Sequence, residues 1–200
     1  MGEVIGIVSL KGGVGKTTSS LCLSDAMSLF NKKVLLIDGN LSAPNLGLHL
    51  NLEDMDRLKG LHDVLAGEAE PEETIINLEN FDLLPAAIFN EKDFSAMDLR
   101  NKLKPRKKKY DYIIVDSPPS LAEDTLSVML ASDYLLVVTT PDHLTLGTTI
   151  KAIKHAKQRG THINGMILNK VYKKDFELSI TDIEDTAGVS VLASIPHTHR

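Results

Sequence analysis

The sequence predicts an α/β protein: a doubly wound, mostly parallel sheet with helices on both faces. Three observations predict it. Short apolar runs alternate with segments of helical periodicity along the whole chain. Several of those runs, such as Val34-Leu35-Leu36-Ile37 and Ile113-Ile114-Val115, are continuously apolar, as suits parallel strands covered on both faces. A glycine-rich turn joins the first run to the first helical segment.

The elements follow in order. Residues 4–8 read as a buried strand, and residues 17–30 as a helix that Lys32-Lys33 closes. Residues 34–37 form a second strand ending in Asp38, followed by a loop over 39–48 marked by Gly39, Asn40, Pro44 and Asn45. Residues 60–67 and 70–78 read as short helices, the second with Pro71 in its first turn and Glu72 and Glu73 beside its N-terminal dipole. A third strand over 81–86 and a helix over 93–103 come next. The strand 110–116 ends in Asp116, before Ser117-Pro118-Pro119-Ser120. Then come a helix at 122–132, a strand at 134–139, a helix at 144–160, a strand at 163–170, a helix at 179–187 and a seventh strand at 189–195.

The glycine-rich turn is Lys11-Gly12-Gly13-Val14-Gly15-Lys16-Thr17-Thr18. Between a strand and a helix, such a turn is a phosphate cradle. Glycines let backbone N–H groups approach phosphate oxygens, and the helix start adds unpaired donors and partial positive charge. Lys16 would reach the β- and γ-phosphates, Thr17 would ligate Mg²⁺ through its hydroxyl, and Thr18 would contact the α-phosphate. The usual loop carries an earlier glycine where this chain has Leu10, and Lys11 is an extra cation. Asp116, at the end of an apolar strand, has the placing of a Walker B-type carboxylate on the same sheet edge.

Composition narrows the classes. Two hundred residues, 42% apolar and 24% charged, are enough to bury a full core. The formal net charge of −5 gives no general attraction to nucleic acid or anionic membranes. The basic stretch from Lys104 to Lys109 reads as a solvated helix end and loop rather than a nucleic-acid patch. Cys22, the single cysteine, reads as a small buried hydrophobe; it allows no intrachain disulfide or cysteine-held metal and fits a reducing cytoplasm. No secretory signal pattern and no spanning apolar run of about 18 residues is seen. Of the seven histidines only His197 and His199 lie close together; without companion ligands they read as a flexible or nucleotide-edge position.

The loop resembles the deviant Walker A motif, K-G-G-x-G-K-[ST]-[ST], of the ParA/MinD family of ATPases, within the SIMIBI type of P-loop NTPases. The resemblance covers the chain to its end. Asp38-x-Asn40 takes the place of the family's Asp-x-Asp switch, and Asp116-Ser117-Pro118 that of its second switch. Asn169 matches the adenine-contacting residue, and the segment at Pro196 and His197 the loop lining the base. Asn45-Leu46-x-Leu48 and Leu65-Ala66-Gly67-Glu68 are similar to the MinD branch of cell-division and flagellar-number regulators.

The resemblance implies an ATPase that turns ATP into ADP and phosphate with Mg²⁺ held by Thr17, Asp38 and Asp116. Lys11, Lys16, Asn40 and Asp116 would be its catalytic residues, and Gly12, Gly13, Val14 and Gly15 would complete the nucleotide site with Thr18. It implies an ATP-dependent homodimer in which Lys11 reaches the other subunit's nucleotide, and an activator protein. Localisation would be cytoplasmic, peripheral to the membrane where a C-terminal amphipathic helix follows. Residues 1–200 would form one P-loop ATPase domain without the family's C-terminal helices, so membrane binding is not assigned to them. Asn40 stands where the family has a carboxylate that activates water, and an amide cannot take a proton at neutral pH. Two readings stay open: a member that hydrolyses slowly by nature, and a residue exchanged to hold the ATP state.

Other classes fit less well. A nucleotide-binding module with little hydrolysis rests on Asn40. A DNA-partitioning ATPase needs a basic face that only residues 104–109 offer. Iron–sulfur carriers of the lineage use paired cysteines, and its tyrosine kinases a tyrosine-rich tail; neither is present.

Overall fold

The computed structural model describes residues 1–52, 59–87 and 95–198. Its centre is an eight-stranded sheet in the order β3-β4-β2-β5-β1-β6-β7-β8. The strands are β1 (Glu3–Val8), β2 (Val34–Asp38), β3 (Ile76–Asn77), β4 (Asp82–Leu84), β5 (Tyr112–Asp116), β6 (Tyr134–Thr139), β7 (His162–Val171) and β8 (Val191–Pro196). Every neighbouring pair is parallel except β3 with β4.

Side-chain alternation divides the core into two layers. Leu35, Ile37, Ile113, Val115, Leu135 and Val137 face one side. They pack with residues of α3 (Leu61–Leu65), α5 (Asp98–Leu103), α6 (Glu123–Ala131), α7 (His143–Gln158) and α8 (Ile180–Ala187). Val34, Leu36, Ile5, Ile7, Ile114, Leu136 and Val138 face the other. There they meet Leu21, Leu23 and Met27 of α1 (Lys16–Leu29) and Leu46 of α2 (Leu46–His49). Strands so enclosed need apolar residues on both faces, hence the unbroken runs.

Several expectations are corrected. The described residues form eight strands, because the predicted helix 70–78 shortens to α4 (Pro71–Thr74) and the chain then enters β3, which pairs antiparallel with β4. The loop 39–48 contains α2, whose first amides Asn45 N–H and Leu46 N–H both donate to Asp38 Oδ2 at 3.0 Å. A carboxylate from a preceding strand thus does the work of a helix cap. Cys22 is exposed rather than buried, because it falls on the outer side of α1. Lys32 and Lys33 lie beyond the end of α1. The helix predicted over 93–103 begins at Asp98; residues 93 and 94, and His199, lie outside the described residues. Among the described residues no helix is long and apolar enough to cross a membrane.

Candidate functional site

β1, β2, β5 and β7 end on one edge of the sheet, and the loops leaving them frame a cleft of about 860 Å³. Open α/β sheets place ligands at such carboxyl ends, and this volume suits a nucleotide-sized molecule. Gly12, Gly13, Gly15, Lys16, Thr17 and Thr18 form one wall. Asn40, Asn45 and His49 form a second, and Asn169, Pro196 and His197 a third.

The glycine turn is built on backbone that other residues resist. Gly13 and Gly15 sit at φ +76° and +96°, in the left-handed region. A Cβ on Gly15 would run into Asn169 Nδ2, which would have to move. Lys16 opens α1 and is buried; burial pulls its ammonium pKa down, opposed by the charge of Asp116.

Beneath the cleft lie two carboxylates. Parallel register puts Asp38 of β2 beside Asp116 of β5, and both are fully buried. Asp116 accepts from Thr17 Oγ1 at 2.6 Å and from Ser20 Oγ at 3.0 Å. Asp38 accepts from Asn40 N–H at 3.1 Å besides the two amides of α2. Burial pushes Asp38 up to about 6; its backbone donors oppose the rise and the Asp116 charge adds to it. Burial also raises Asp116, against the Thr17 and Ser20 hydrogen bonds and the charge of Lys16.

Such a pair wants a cation. Two adjacent buried carboxylates and a hydroxyl are hard oxygen donors of the kind Mg²⁺ prefers. Among the described residues no group of three or more His, Cys, Asp or Glu could hold a metal. A Mg²⁺ here would therefore complete its shell with phosphate oxygens and water, its usual mode at phosphate sites. The donors fit that ion, with Thr17, Asp38 and Asp116 as the residues that would hold it.

The predicted residues are not all placed alike. Lys11 lies outside the cleft lining: its Nζ donates to Thr145 Oγ1 at 2.5 Å and lies 3.5 Å from Asp142 Oδ1. Burial would raise the Asp142 pKa, but hydrogen bonds from Thr140 and Thr145, with the Lys11 charge, hold it down to about 2. Val14 is buried in the core and offers only its backbone. Asn40 Nδ2 donates to Ala43 O at 2.6 Å. Asn169 Nδ2 donates to Val14 O at 2.8 Å, so its amide engages the phosphate loop. His197 lies against Tyr172, ring centroids 4.4 Å apart, and its backbone N–H donates to Val171 O.

Sequence reading missed several lining residues, among them Asn45, His49 and Lys170. Asn45, just before α2, and His49, its last residue, stand one helical turn apart, and Asn45 Oδ1 is 3.4 Å from Thr17 Oγ1. Their spacing was the available signal, hidden because the segment reads as loop. Lys170, at the end of β7, reaches Gly13 O at 2.6 Å; a lysine after an asparagine carries no such signal.

Comparison with known proteins agrees with this fold. A family model described as an AAA domain matches residues 2–167. An uncharacterised ATP-binding protein of Methanocaldococcus jannaschii is 32% identical over 96% of this chain and 74% of its own length. The septum site-determining protein MinD of Thermotoga maritima is 33% identical over 98% of this chain and 76% of its own. The structure of septum site-determining protein MinD from Pyrococcus horikoshii, complexed with Mg-ADP, superposes with a TM-score of 0.88 at 35% identity, covering 99% of this chain and 82% of that one. The chain belongs to the ParA/MinD family of deviant Walker A ATPases.

Proposed function

We propose that residues 1–200 form a single ATP-binding domain acting as a MinD-type switch in cell division or spatial regulation. It binds ATP with Mg²⁺, pairs with a second copy while ATP is intact, and hydrolyses ATP slowly to ADP and phosphate. The observation that carries this is the buried Asp38–Asp116 pair with Thr17, set under a glycine loop. The Mg-ADP bound by the Pyrococcus horikoshii relative supports the choice of ligand.

The residues divide the work. Backbone N–H groups of the loop and the Lys16 ammonium take the phosphates, where a charge-assisted contact in a buried site is strong. Mg²⁺, when bound, would neutralise charge on the phosphate oxygens. Asn40 faces the same cleft. Its Nδ2 is committed to Ala43 O, which leaves Oδ1 to accept a hydrogen bond from a water. That orients a nucleophile without removing its proton, hence slow turnover. Lys11 is held by a half-exposed pair with Asp142, worth about 1 kcal/mol or less, so it leaves readily for a partner's nucleotide.

One second reading has an observation behind it. If the Asn40–Ala43 tie keeps water out of line, the chain is a nucleotide-binding module with little turnover, and a phosphate-release assay separates the two. A DNA-partitioning role is disfavoured: Arg106 pairs with Glu70 and Glu72, and Lys107 with Asp133, so the basic stretch is partly neutralised within the chain. An activator protein is the expected partner. The protein would act in the cytoplasm.

Light scattering with Mg-ADP and with Mg-ATP tests the switch. A dimer is expected only with ATP, and Lys11→Ala should bind ATP within a few-fold yet stay monomeric. A protein that binds ATP and remains monomeric would remove the switch.

A further inference from the structure

We propose that Lys170 is a positioning residue for the phosphate loop, acting with Asn169 as a two-pronged clamp on its backbone. This rests on reading the cleft as the nucleotide site. The juxtaposition is specific. Lys170 Nζ donates to Gly13 O at 2.6 Å and Asn169 Nδ2 donates to Val14 O at 2.8 Å. Two consecutive residues of β7 thus hold two consecutive carbonyls of the turn.

Peptide planarity gives the hold its consequence. In a trans peptide the N–H points opposite to the C=O. Fixing Gly13 O and Val14 O toward β7 therefore turns Val14 N–H and Gly15 N–H away from it. In a glycine-rich turn with φ +76° and +96°, those peptides have few other restraints. The clamp supplies them, and a donor fixed before the ligand arrives costs no reorganisation on binding.

Lys170 is itself shaped for the task. Its backbone sits at φ +57°, unusual for lysine. Its N–H donates to Asn169 Oδ1 at 2.9 Å, so the prongs brace each other. The contact that a Cβ on Gly15 would make with Asn169 Nδ2 shows how closely strand and loop approach.

The test uses the whole chain and three variants: Lys170→Met, Lys170→Arg and Lys170→Gly, the last relieving the backbone while removing the amine. Two readouts are taken. The first is hydrogen exchange of the Val14 and Gly15 amides without nucleotide; the second is calorimetry with Mg-ADP. We expect Lys170→Met and Lys170→Gly to exchange these amides about tenfold faster and to bind Mg-ADP about tenfold more weakly. Lys170→Arg should restore both to within about threefold. Unchanged exchange with weakened binding would mean that Lys170 acts on the nucleotide directly, and overturns the clamp. Unchanged exchange and unchanged binding overturn it as well. A wild-type protein that fails to bind Mg-ADP removes the nucleotide reading. Exchange then still decides whether the loop is clamped.

Discussion

The two ends of the cleft are built differently. At the phosphate end, β2 and β5 are buried almost throughout, and their last residues, Asp38 and Asp116, are closed off from solvent. At the base end, β8 is exposed from Leu192 onward and pairs on one side only, with β7. One end is preorganised by strands covered on both faces. The other is a sheet edge, β8, whose side chains lie mostly exposed. Binding strength should therefore reside at the phosphate end and base selection at the softer one, where a side chain can move at little cost.

This contrast can be broken from either side. The largest expected effect is on stability. Asp38 holds its proton up to about 6, whereas an unfolded chain releases it near 3.8. Between these values the folded protein carries a proton that the unfolded chain lacks, so stability falls as pH rises through the window. The full loss, about 3 kcal/mol for a two-unit shift, is in place above pH 6. Asp116, raised as well, adds to it with the same sign. Asp142, held near 2, works oppositely and lower down, adding stability as pH rises from about 2 to 4. Urea midpoints without nucleotide should be higher at pH 5 than at pH 7.5, and Mg-ATP should shrink the difference. A midpoint that rises from pH 5 to 7.5 would remove the carboxylate strain at this end.

Next in size is Lys16→Ala. Losing a charged phosphate contact should cost about 1.5–3 kcal/mol, or about 10- to 150-fold in ATP affinity by calorimetry. Thr17→Ala should weaken apparent Mg²⁺ affinity about tenfold while nucleotide alone binds nearly as before. Asp116 then keeps its Ser20 partner, so the fold should hold. The smallest effect is expected at the soft end. Asn169→Ala should lower ATP affinity a few-fold, in the range of one neutral hydrogen bond, and reduce the preference for ATP over GTP in competition. If Asn169→Ala costs more than Lys16→Ala, the assignment of strength and selectivity to the two ends is reversed.

The same contrast explains what the sequence made legible. The glycine turn announces itself because positions 13 and 15 take left-handed backbone that favours glycine, and Asp116 because its apolar strand ends on the same sheet edge as that turn. Parallel strands enclosed on both faces leave near-continuous apolar runs, so β1, β2, β5 and β6 are readable. The rest depends on contacts distant in sequence. The four residues of α2 are too few to show periodicity, and the helix exists because Asp38 caps it from the preceding strand. β3 is two residues held by pairing with β4. Cys22 belongs to a helix whose serines, Ser20 and Ser24, are buried in its stead; Ser20 reaches Asp116 and Ser24 reaches Ser20 O. The reach of Lys170 to a carbonyl 157 residues earlier has no local signature at all.

On the reading proposed above, the phosphate end lacks only a base, at position 40. Asn40→Asp restores a carboxylate beside the cleft without touching the loop, Lys16 or the Asp38–Asp116 pair. A new negative charge near the γ-phosphate also weakens ATP binding, so the measurement is single-turnover hydrolysis at saturating Mg-ATP. A rate at least about tenfold above that of the Asn40 protein is expected, a conservative reading of the roughly 10²–10⁴-fold that a positioned base supplies. An Asn40→Asp protein that hydrolyses no faster under saturation would contradict the proposed role of position 40, and would mean that another group positions the nucleophile.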